Sequence, residues 1–442
     1  MGEEKLLKKL SSYFQQGEEE KKKIGMEVEH FVLKENNLEA VDYADQCGIS
    51  DILEHFQGQE IKQYREDDHL LKLTAPEYDI TIEPGAQLEV GIQPQSTIQE
   101  LETVYFNFLD KLVPILNERD YLLLTLGYQP ESKIEDIAWL PKKRYQIMSN
   151  YLGQRGKYAH NMMKGTAAFQ IAFDYHSEAD FVNKFRVATV LSPVLAIVCD
   201  NAPFFEGGVF SNEALRTLIW NHTDNSRARI VEEAFASDFG YQKYAQYILT
   251  REPILLKSND RYTATHKKTA AEIFQDRELG REELEHILTM VFPDVRAKQF
   301  IEIRMADSLP PRYFLALASL WKGILYNEEI LQQVVSFVEQ FNAADVITAR
   351  QDIIAQGLAA QLGDYSILEI ADKILTWAHK GLPGEEKHYL KPLQAIVEEE
   401  KTLAQKIKQQ VTKVGKKEVI KDYSLNSLVE EAENNGESLC GR

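Results

Sequence analysis

Cysteine is almost missing from this chain: its 442 residues hold three, Cys47, Cys199 and Cys440. They share no metal-ligand spacing, and such usage implies reduced thiols in a cytoplasmic protein. Glycine-rich phosphate loops are missing too. Neither Gly-x-Gly-x-x-Gly nor Gly-x-x-x-x-Gly-Lys-Ser/Thr occurs, so a Rossmann reading is weak and any nucleotide is held by another device. Basic residues are in deficit, Lys+Arg 50 against Asp+Glu 69, for a formal charge of −19. That balance argues against nucleic acid or an anionic membrane as the main partner, and a polyanionic substrate would need metal ions and local arginines to enter. The first residues are charged and lack a signal-like apolar core, and no apolar run is expected to reach bilayer length. The length suffices for a large core and for two or three domains.

What is present is acid inside strands. Thr81-Ile-Glu-Pro-Gly-Ala-Gln-Leu-Glu-Val-Gly91 sets Glu83 and Glu89 on either side of a Pro-Gly bend. Side chains alternate along extended chain, so these two share a face if the register survives Pro84-Gly85, and a bulge there reverses one of them. Ile24-Gly-Met-Glu-Val-Glu-His30 places Glu27 and Glu29 on one strand face, with Met26, Val28 and His30 on the other. Gln299-Phe-Ile-Glu-Ile-Arg-Met305 does the same for Glu302 and Arg304. Strand interiors seldom carry acids that are neither paired nor metal-bound, because burying an isolated carboxylate is costly. The pattern points to a cation site; a sheet edge with its acids in water is the alternative.

Along the chain, residues 2 to about 22 have helical periodicity, with Glu18/Lys22 and Glu19/Lys23 at i,i+4 spacing. Residues 66–95 are hairpin-like. From Thr97 to about Arg119 a helix is expected, with Ser96 and Gln99 spaced as a capping box and Pro114 near its end. Tyr121–Gly127 and Thr166–Asp174 suit buried strands, Gln170 being the polar residue inside the second. Trp139–Gly156 is loop-like, Ser177–Asn201 a helix kinked at Pro193, and 202–265 irregular and aromatic. Beyond Leu309 nearly everything is helical, and 413–442 is polar enough to be loosely ordered. The expected fold is α+β: one curved, mostly antiparallel sheet carrying the site, helices over its outer face, and a helical C-terminal third. The expected units are 1–330, a helical region 331–412 packed on it, and the tail 413–442.

Eight stretches in order resemble the glutamate-cysteine ligase family, in the form found in plants and many proteobacteria. They are Gly25-Met-Glu-Val-Glu29, Glu83-Pro-Gly-Ala-Gln-Leu-Glu89, Leu140-Pro-Lys-Lys-Arg-Tyr-Gln-Ile-Met148, and Met162-Met163 leading to Gln170. Downstream come Ser177-Glu-Ala-Asp180 with Lys184-Phe-Arg186, Asn201-Ala-Pro-Phe204, Ile219-Trp220 with Thr223-Asp224, and Phe292-Pro-Asp-Val-Arg296 with Glu302-Ile-Arg304-Met-Ala-Asp307. The resemblance implies a catalytic funnel similar to that of glutamine synthetase. It also implies an ATP-dependent ligation of the glutamate γ-carboxylate to the amine of cysteine through a γ-glutamyl phosphate.

By that resemblance Glu27, Glu29, Glu83, Glu89 and Glu302 are metal ligands for Mg²⁺, with Mn²⁺ as the alternative, and Gln170 faces metal or nucleotide. Arg304 stabilises the transferring phosphoryl group; read by itself it is an ion-pair partner of Glu302 or Asp307. Arg144, Tyr145, Trp220 and Arg227 match residues of the amino-acid site, where a guanidinium grips an α-carboxylate bidentately. Trp220 by itself is a core aromatic and Arg227 a surface charge. The expected partners are glutamate, cysteine or another amine, and ATP, in a monomer or homodimer. Three departures bear on the acceptor: Gly85-Ala86 replaces a double glycine, Val90-Gly91-Ile92 replaces Leu-Ser-Gly, and Met305 replaces a glycine. Ala86 and Met305 are expected to narrow the pocket, which keeps open a sister ligase using another amine. A catalytically silent nucleotide-binding homologue is the third reading, disfavoured by the complete acid set.

Overall fold

Nine strands form one sheet in which every pairing is antiparallel, bearing out the expected fold class. The computed structural model describes residues 2–56, 60–258 and 261–435. The strands are β1 (Ile24–Lys34), β2 (Lys62–Glu66), β3 (His69–Thr74), β4 (Tyr78–Ile82), β5 (Leu88–Gln95), β6 (Tyr121–Leu124), β7 (Ala168–Phe173), β8 (Val295–Ala297) and β9 (Ile301–Asp307). Their order is β8-β9-β7-β1-β5-β4-β3-β2, and β6 pairs with the distal half of β1. The sequence-distant acid strands thus become neighbours: β1 lies between β5 and β7, and β7 between β1 and β9.

Helices follow the apolar periodicity, with several boundaries displaced for identifiable reasons. The N-terminal helix stops at Gln15, because Gly17 runs so close to Gln299 that a Cβ would lie 2.5 Å from its carbonyl oxygen. Lys22 is therefore beyond the helix and donates to the Tyr326 carbonyl at 2.8 Å instead of pairing with Glu18. Helix α1 (Ile98–Asn117) is capped one residue later than expected: the Thr97 hydroxyl accepts from Glu100 N, and the Glu100 carboxylate accepts the N–H groups of both Ser96 and Thr97. A charged acceptor outcompetes the amide of Gln99 for that role. Lys143–Leu152, expected as loop, is helix α2. It contains neither proline nor glycine and buries Tyr145, Met148 and Leu152 at helical spacing. The short α3 (Ala159–Gly165) leads into β7.

Helix α4 (Glu178–Val198) continues through Pro193 and corrects a further expectation, being long and apolar enough by composition to cross a bilayer. In the fold 83% of its apolar window is buried, and it packs against β9 and the C-terminal helices, which accounts for its apolarity all round. Within the stretch expected to be irregular lies α5 (Leu215–Asn221).

A single cluster of buried apolar residues runs from Leu6 through Trp321 to Ala432, so sheet and helical third share one core. The boundary expected at 330 falls inside the helix Glu328–Val338, where Ile330 and Leu331 are buried. In the C-terminal third, α6 (Ala343–Gln356) packs on α4 and α5. The tail is likewise more ordered than its polarity suggested up to residue 435, with α7 (Lys416–Asp422) and α8 (Leu425–Asn435); 436–442 lie outside the described residues. Val419 and Ile420 pack with Phe31, Leu33 and Leu122 behind β1 and β6, and Asn426 Oδ1 accepts from Leu123 N at 2.8 Å. Few apolar residues at helical spacing sufficed. Ile420→Ala is expected to cost ~2–4 kcal/mol in denaturant unfolding, whereas a loose tail would leave stability unchanged.

Candidate active site

Strand alternation turns the acids of β1 to one side of the sheet. Met26, Val28 and His30 are buried on the other, where His30 bonds the Leu88 carbonyl at 3.0 Å and the Tyr105 hydroxyl at 2.8 Å. Burial pushes this imidazole down to about 4, so it is a neutral core residue. In register, Glu29 stands opposite Glu89 of β5, while Glu27 lies between Gly91 of β5 and Gln170 of β7.

The bend before β5 preserves that register. Ala86 N donates to Glu83 O at 2.9 Å, closing a four-residue turn, and Glu83 N donates to Gln87 O at 2.9 Å, so Glu83 stays on the face of Glu89. The Gln87 side chain locks the turn, accepting from Gly85 N at 2.8 Å and donating to the Thr166 carbonyl at 2.8 Å. Gly85 lies against α3; a Cβ there would sit 2.4 Å from Lys164 O and 2.7 Å from its Cα. Ala86 adopts φ 67°, a left-handed conformation that glycine enters more readily. Its methyl does not border the cavity below, so the expected narrowing by Ala86 does not occur there.

The acids line a cavity of ≈250 Å³. Glu27, Glu29, Glu83, Glu89 and Glu302 are on its floor with Gln170 and Arg304, and Arg144, Tyr145 and Trp220 are on its walls. All the expected site residues therefore converge except Arg227. That arginine is about 1% exposed and spent on the protein: it pairs with Asp224 at 2.7 Å, donates to the carbonyls of Glu252 and Met290, and bonds Tyr151 OH. These four hydrogen bonds tie together the segments around Tyr151, Asp224, Glu252 and Met290.

Two arginines not singled out from sequence matter more. Arg216 sits one helical turn before Trp220 on α5, with its guanidinium over that indole at 5.5 Å from the ring centroid, and lines the cavity. The i,i+4 spacing to Trp220 was the available signal. Arg296 of β8 is the cross-strand partner of Glu302, binding it through Nε at 2.5 Å and Nη2 at 3.0 Å, as hairpin register dictates for residues six apart. Met305 borders a small recess behind Arg216, Trp220 and Arg304 and does not narrow the main cavity.

The electrostatics divide the acids. Burial would raise Glu302, but Arg296, Lys298 and Arg304 hold it well below the usual carboxylate range. Burial raises Glu27, with Glu302 adding to it, and raises Glu89, with Glu27, Glu83 and Glu29 adding to it. Burial and Glu83 push Glu29 up to about 8. Glu29 accepts only Ala168 N at 2.8 Å and Gln170 Nε2 at 3.3 Å, and Glu89 accepts the Thr81 hydroxyl at 2.5 Å. Gln170 in turn accepts from Arg304, whose Nη1 is also 3.3 Å from Glu302. Arg144 and Arg216 have no carboxylate partner among the described residues; Arg144 Nε is buried without a hydrogen bond, and Arg216 donates only to the Arg304 carbonyl at 3.3 Å.

A sequence profile of glutamate-cysteine ligase family 2 matches residues 23–431. This chain belongs to the glutamate-cysteine ligase family. It is 31% identical over 372 residues to the chloroplastic glutamate–cysteine ligase of Brassica juncea, covering 82% of this chain and 72% of that one. To the Arabidopsis thaliana chloroplastic ligase it is 29% identical over 400 residues, with 88% and 76% covered. The crystal structure of the glutamate–cysteine ligase of Francisella tularensis in complex with AMP shares the fold, with TM-score 0.60 and 12% identity over 92% of this chain and 88% of that one.

For a hard divalent cation the donor chemistry of this family member fits: among the described residues the carboxylates of Glu27, Glu29, Glu83 and Glu89, on or beside adjacent strands, make no ion pair. Among the described residues no three acids already stand in coordinating geometry; Glu302 is turned to Arg296 and Glu89 to Thr81. A carboxyl whose folded value exceeds its unfolded one contributes stability that is full below the unfolded value and is lost as pH rises through the folded one. Glu29 therefore sets a window from about 4.5 to about 8. Melting temperature without divalent cation is expected to fall by roughly 5 °C from pH 5 to pH 8.5, and added Mg²⁺ to restore it more at pH 8.5 than at pH 5. Equal Mg²⁺ stabilisation at both pH values contradicts the assignment.

Proposed function

We propose that the chain joins the γ-carboxylate of L-glutamate to the amine of L-cysteine at the expense of ATP, the first step of glutathione synthesis. The observation that carries this reading is charge sorting within one cavity. Half-buried acids that make no ion pair among the described residues, Glu27, Glu29, Glu83 and Glu89, share the cavity with two guanidiniums that likewise make none there, the half-buried Arg144 and the buried Arg216. The acids suit cations and the arginines suit the carboxylates of amino-acid substrates. On the β1–β5 side a second, more apolar chamber of ≈310 Å³, bordered by Gly25, Ile92, Pro94 and Phe300, shares Glu27, Gln170 and Glu302 with the first. It supports a nucleotide base there, with the triphosphate reaching across the shared residues.

Carboxylate and triphosphate are both anions, so their approach is repulsive until the charge is neutralised. Glu27, Glu29, Glu83 and Glu89 would hold Mg²⁺, or Mn²⁺, which would supply positive charge against the charge that develops on phosphoryl transfer. Glu302 belongs to the same floor, but as a ligand it would have to share its oxygens with Arg296. Arg304 lines the first chamber beside Glu302 and Gln170, two of the residues that both chambers share, where a fixed, always-charged donor stabilises the transferring phosphoryl group. The glutamate γ-oxygen attacks the terminal phosphorus and ADP leaves. The cysteine amine then attacks the acyl carbon, and phosphate leaves with the oxygen that glutamate supplied. Arg144 and Arg216 bind and orient the α-carboxylates, while Tyr145, Trp220 and Met148 exclude water from the acyl phosphate.

Phosphate release from MgATP and glutamate with a panel of amines tests the reading. Release is expected with cysteine, the γ-glutamyl dipeptide being the product by mass, and Arg304→Met is expected to lower kcat ~10²–10³-fold. Turnover with another amine in preference to cysteine would move the assignment to a sister ligase. No release with any amine would leave a binding protein.

A further inference from the structure

The backbone at Arg304 is irregular. Between β9 and β7 the register shifts between Ile303 and Ala306, two residues of β9 standing against one of β7, so Arg304-Met305 forms a bulge opposite Gln170. A bulge re-aims a side chain but gives up ladder bonds, and something else must hold it. Here Arg304 N donates to Asp294 O at 2.9 Å and Arg304 O accepts from Arg216 at 3.3 Å. Asp294 precedes β8 and donates its own N–H to Arg229 O at 2.6 Å.

The Asp294 carboxylate is gripped from the far end of the chain. Arg350, in the middle of α6, donates Nε to Oδ2 at 2.8 Å and Nη2 to Oδ1 at 3.0 Å, a bidentate pair that is 5% and 11% exposed. Arg350 also borders the recess behind Arg216, Trp220 and Arg304. A buried ion pair is weak evidence of stabilisation for its own sake, because desolvation offsets much of the attraction. What this one does is fix the residue whose carbonyl anchors the bulge.

We propose that Arg350 is a positioning residue for Arg304. Helix α6 of the C-terminal third sets, through Asp294, where the guanidinium of Arg304 stands in the first chamber. The proposal rests on the reading of Arg304 as the phosphoryl-facing group. It assigns to the C-terminal third a part in the reaction beyond covering the sheet. Lysine cannot replace the planar fork, since one ammonium cannot meet both carboxylate oxygens in the same geometry.

The full chain with Arg350→Met, Arg350→Lys, Asp294→Asn and the double substitution Arg350→Met/Asp294→Asn tests this by steady-state kinetics beside thermal unfolding. Arg350→Met is expected to lower kcat ~10–100-fold with KM for glutamate within about twofold, as displacement of a catalytic group does. Arg350→Lys should recover only part of the loss. The double variant should be no slower than the slower single one, because both break one linkage. If Arg350→Met does not fold, Arg350→Lys against Asp294→Asn carries the same comparison. Unchanged kcat in folded variants, a loss confined to KM for glutamate, or multiplicative losses in the double variant overturns the proposal. A wild-type chain that forms no γ-glutamyl product overturns the parent reading and this one with it, whereas an active wild type with unimpaired variants overturns this one alone.

Discussion

Mutual repulsion among carboxylates on neighbouring strands is the constraint to which the rest of the structure answers. Glu29 faces Glu89 directly across β1 and β5, a like-charge cross-strand pair that a sheet ordinarily avoids. Burial is the larger cost and the neighbouring carboxylates add to it, which is why Glu27, Glu29 and Glu89 are all pushed upward. The opposite face of the same strands offsets it: Met26, Val28, Leu88 and Val90 are buried, and His30 is hydrogen-bonded among them as a neutral group. One sheet thus has a face that stabilises and a face that is kept reactive.

Arginine placement completes the division. Arg296 neutralises Glu302, and Arg227 neutralises Asp224 away from the cavity, so neither offers a free guanidinium to a substrate. Arg144 and Arg216 are left without carboxylates, and Arg304 is shared between Glu302 and Gln170. The result is a cavity with a negative floor and positive walls, which suits a reaction that brings two anions together over cations.

The acid floor was legible in the sequence because strand alternation is local: two residues apart is one face, and Glu27/Glu29 and Glu302/Arg304 needed nothing more. The face of Glu83 and Glu89 depended on the turn at Pro84-Gly85, and Gln87 kept it. Arg227 departs from the expectation because a likeness of sequence identifies a segment without saying which way a side chain leaves it; four acceptors, from Asp224, Glu252, Met290 and Tyr151, draw it inward. Arg216 lies in a stretch whose composition reads as irregular, so its four-residue spacing to Trp220 does not stand out as a helix. Helix α2 reads as loop from its Arg, Tyr and Gly content, although its buried positions, Tyr145, Met148 and Leu152, carry the period. The linkage from Arg350 through Asp294 to Arg304 spans 56 and then 10 residues of sequence, and no local pattern announces a contact made by tertiary packing.

The acyl phosphate is the point on which the account turns, and oxygen tracing reads it directly. Glutamate labelled with ¹⁸O in its γ-carboxylate is turned over with MgATP and cysteine, and the released phosphate is analysed by mass. Transfer of one labelled oxygen to phosphate for each dipeptide formed is the predicted result. Phosphate free of label while dipeptide forms, the oxygen lost from the γ-carboxyl appearing in water instead, would contradict the account.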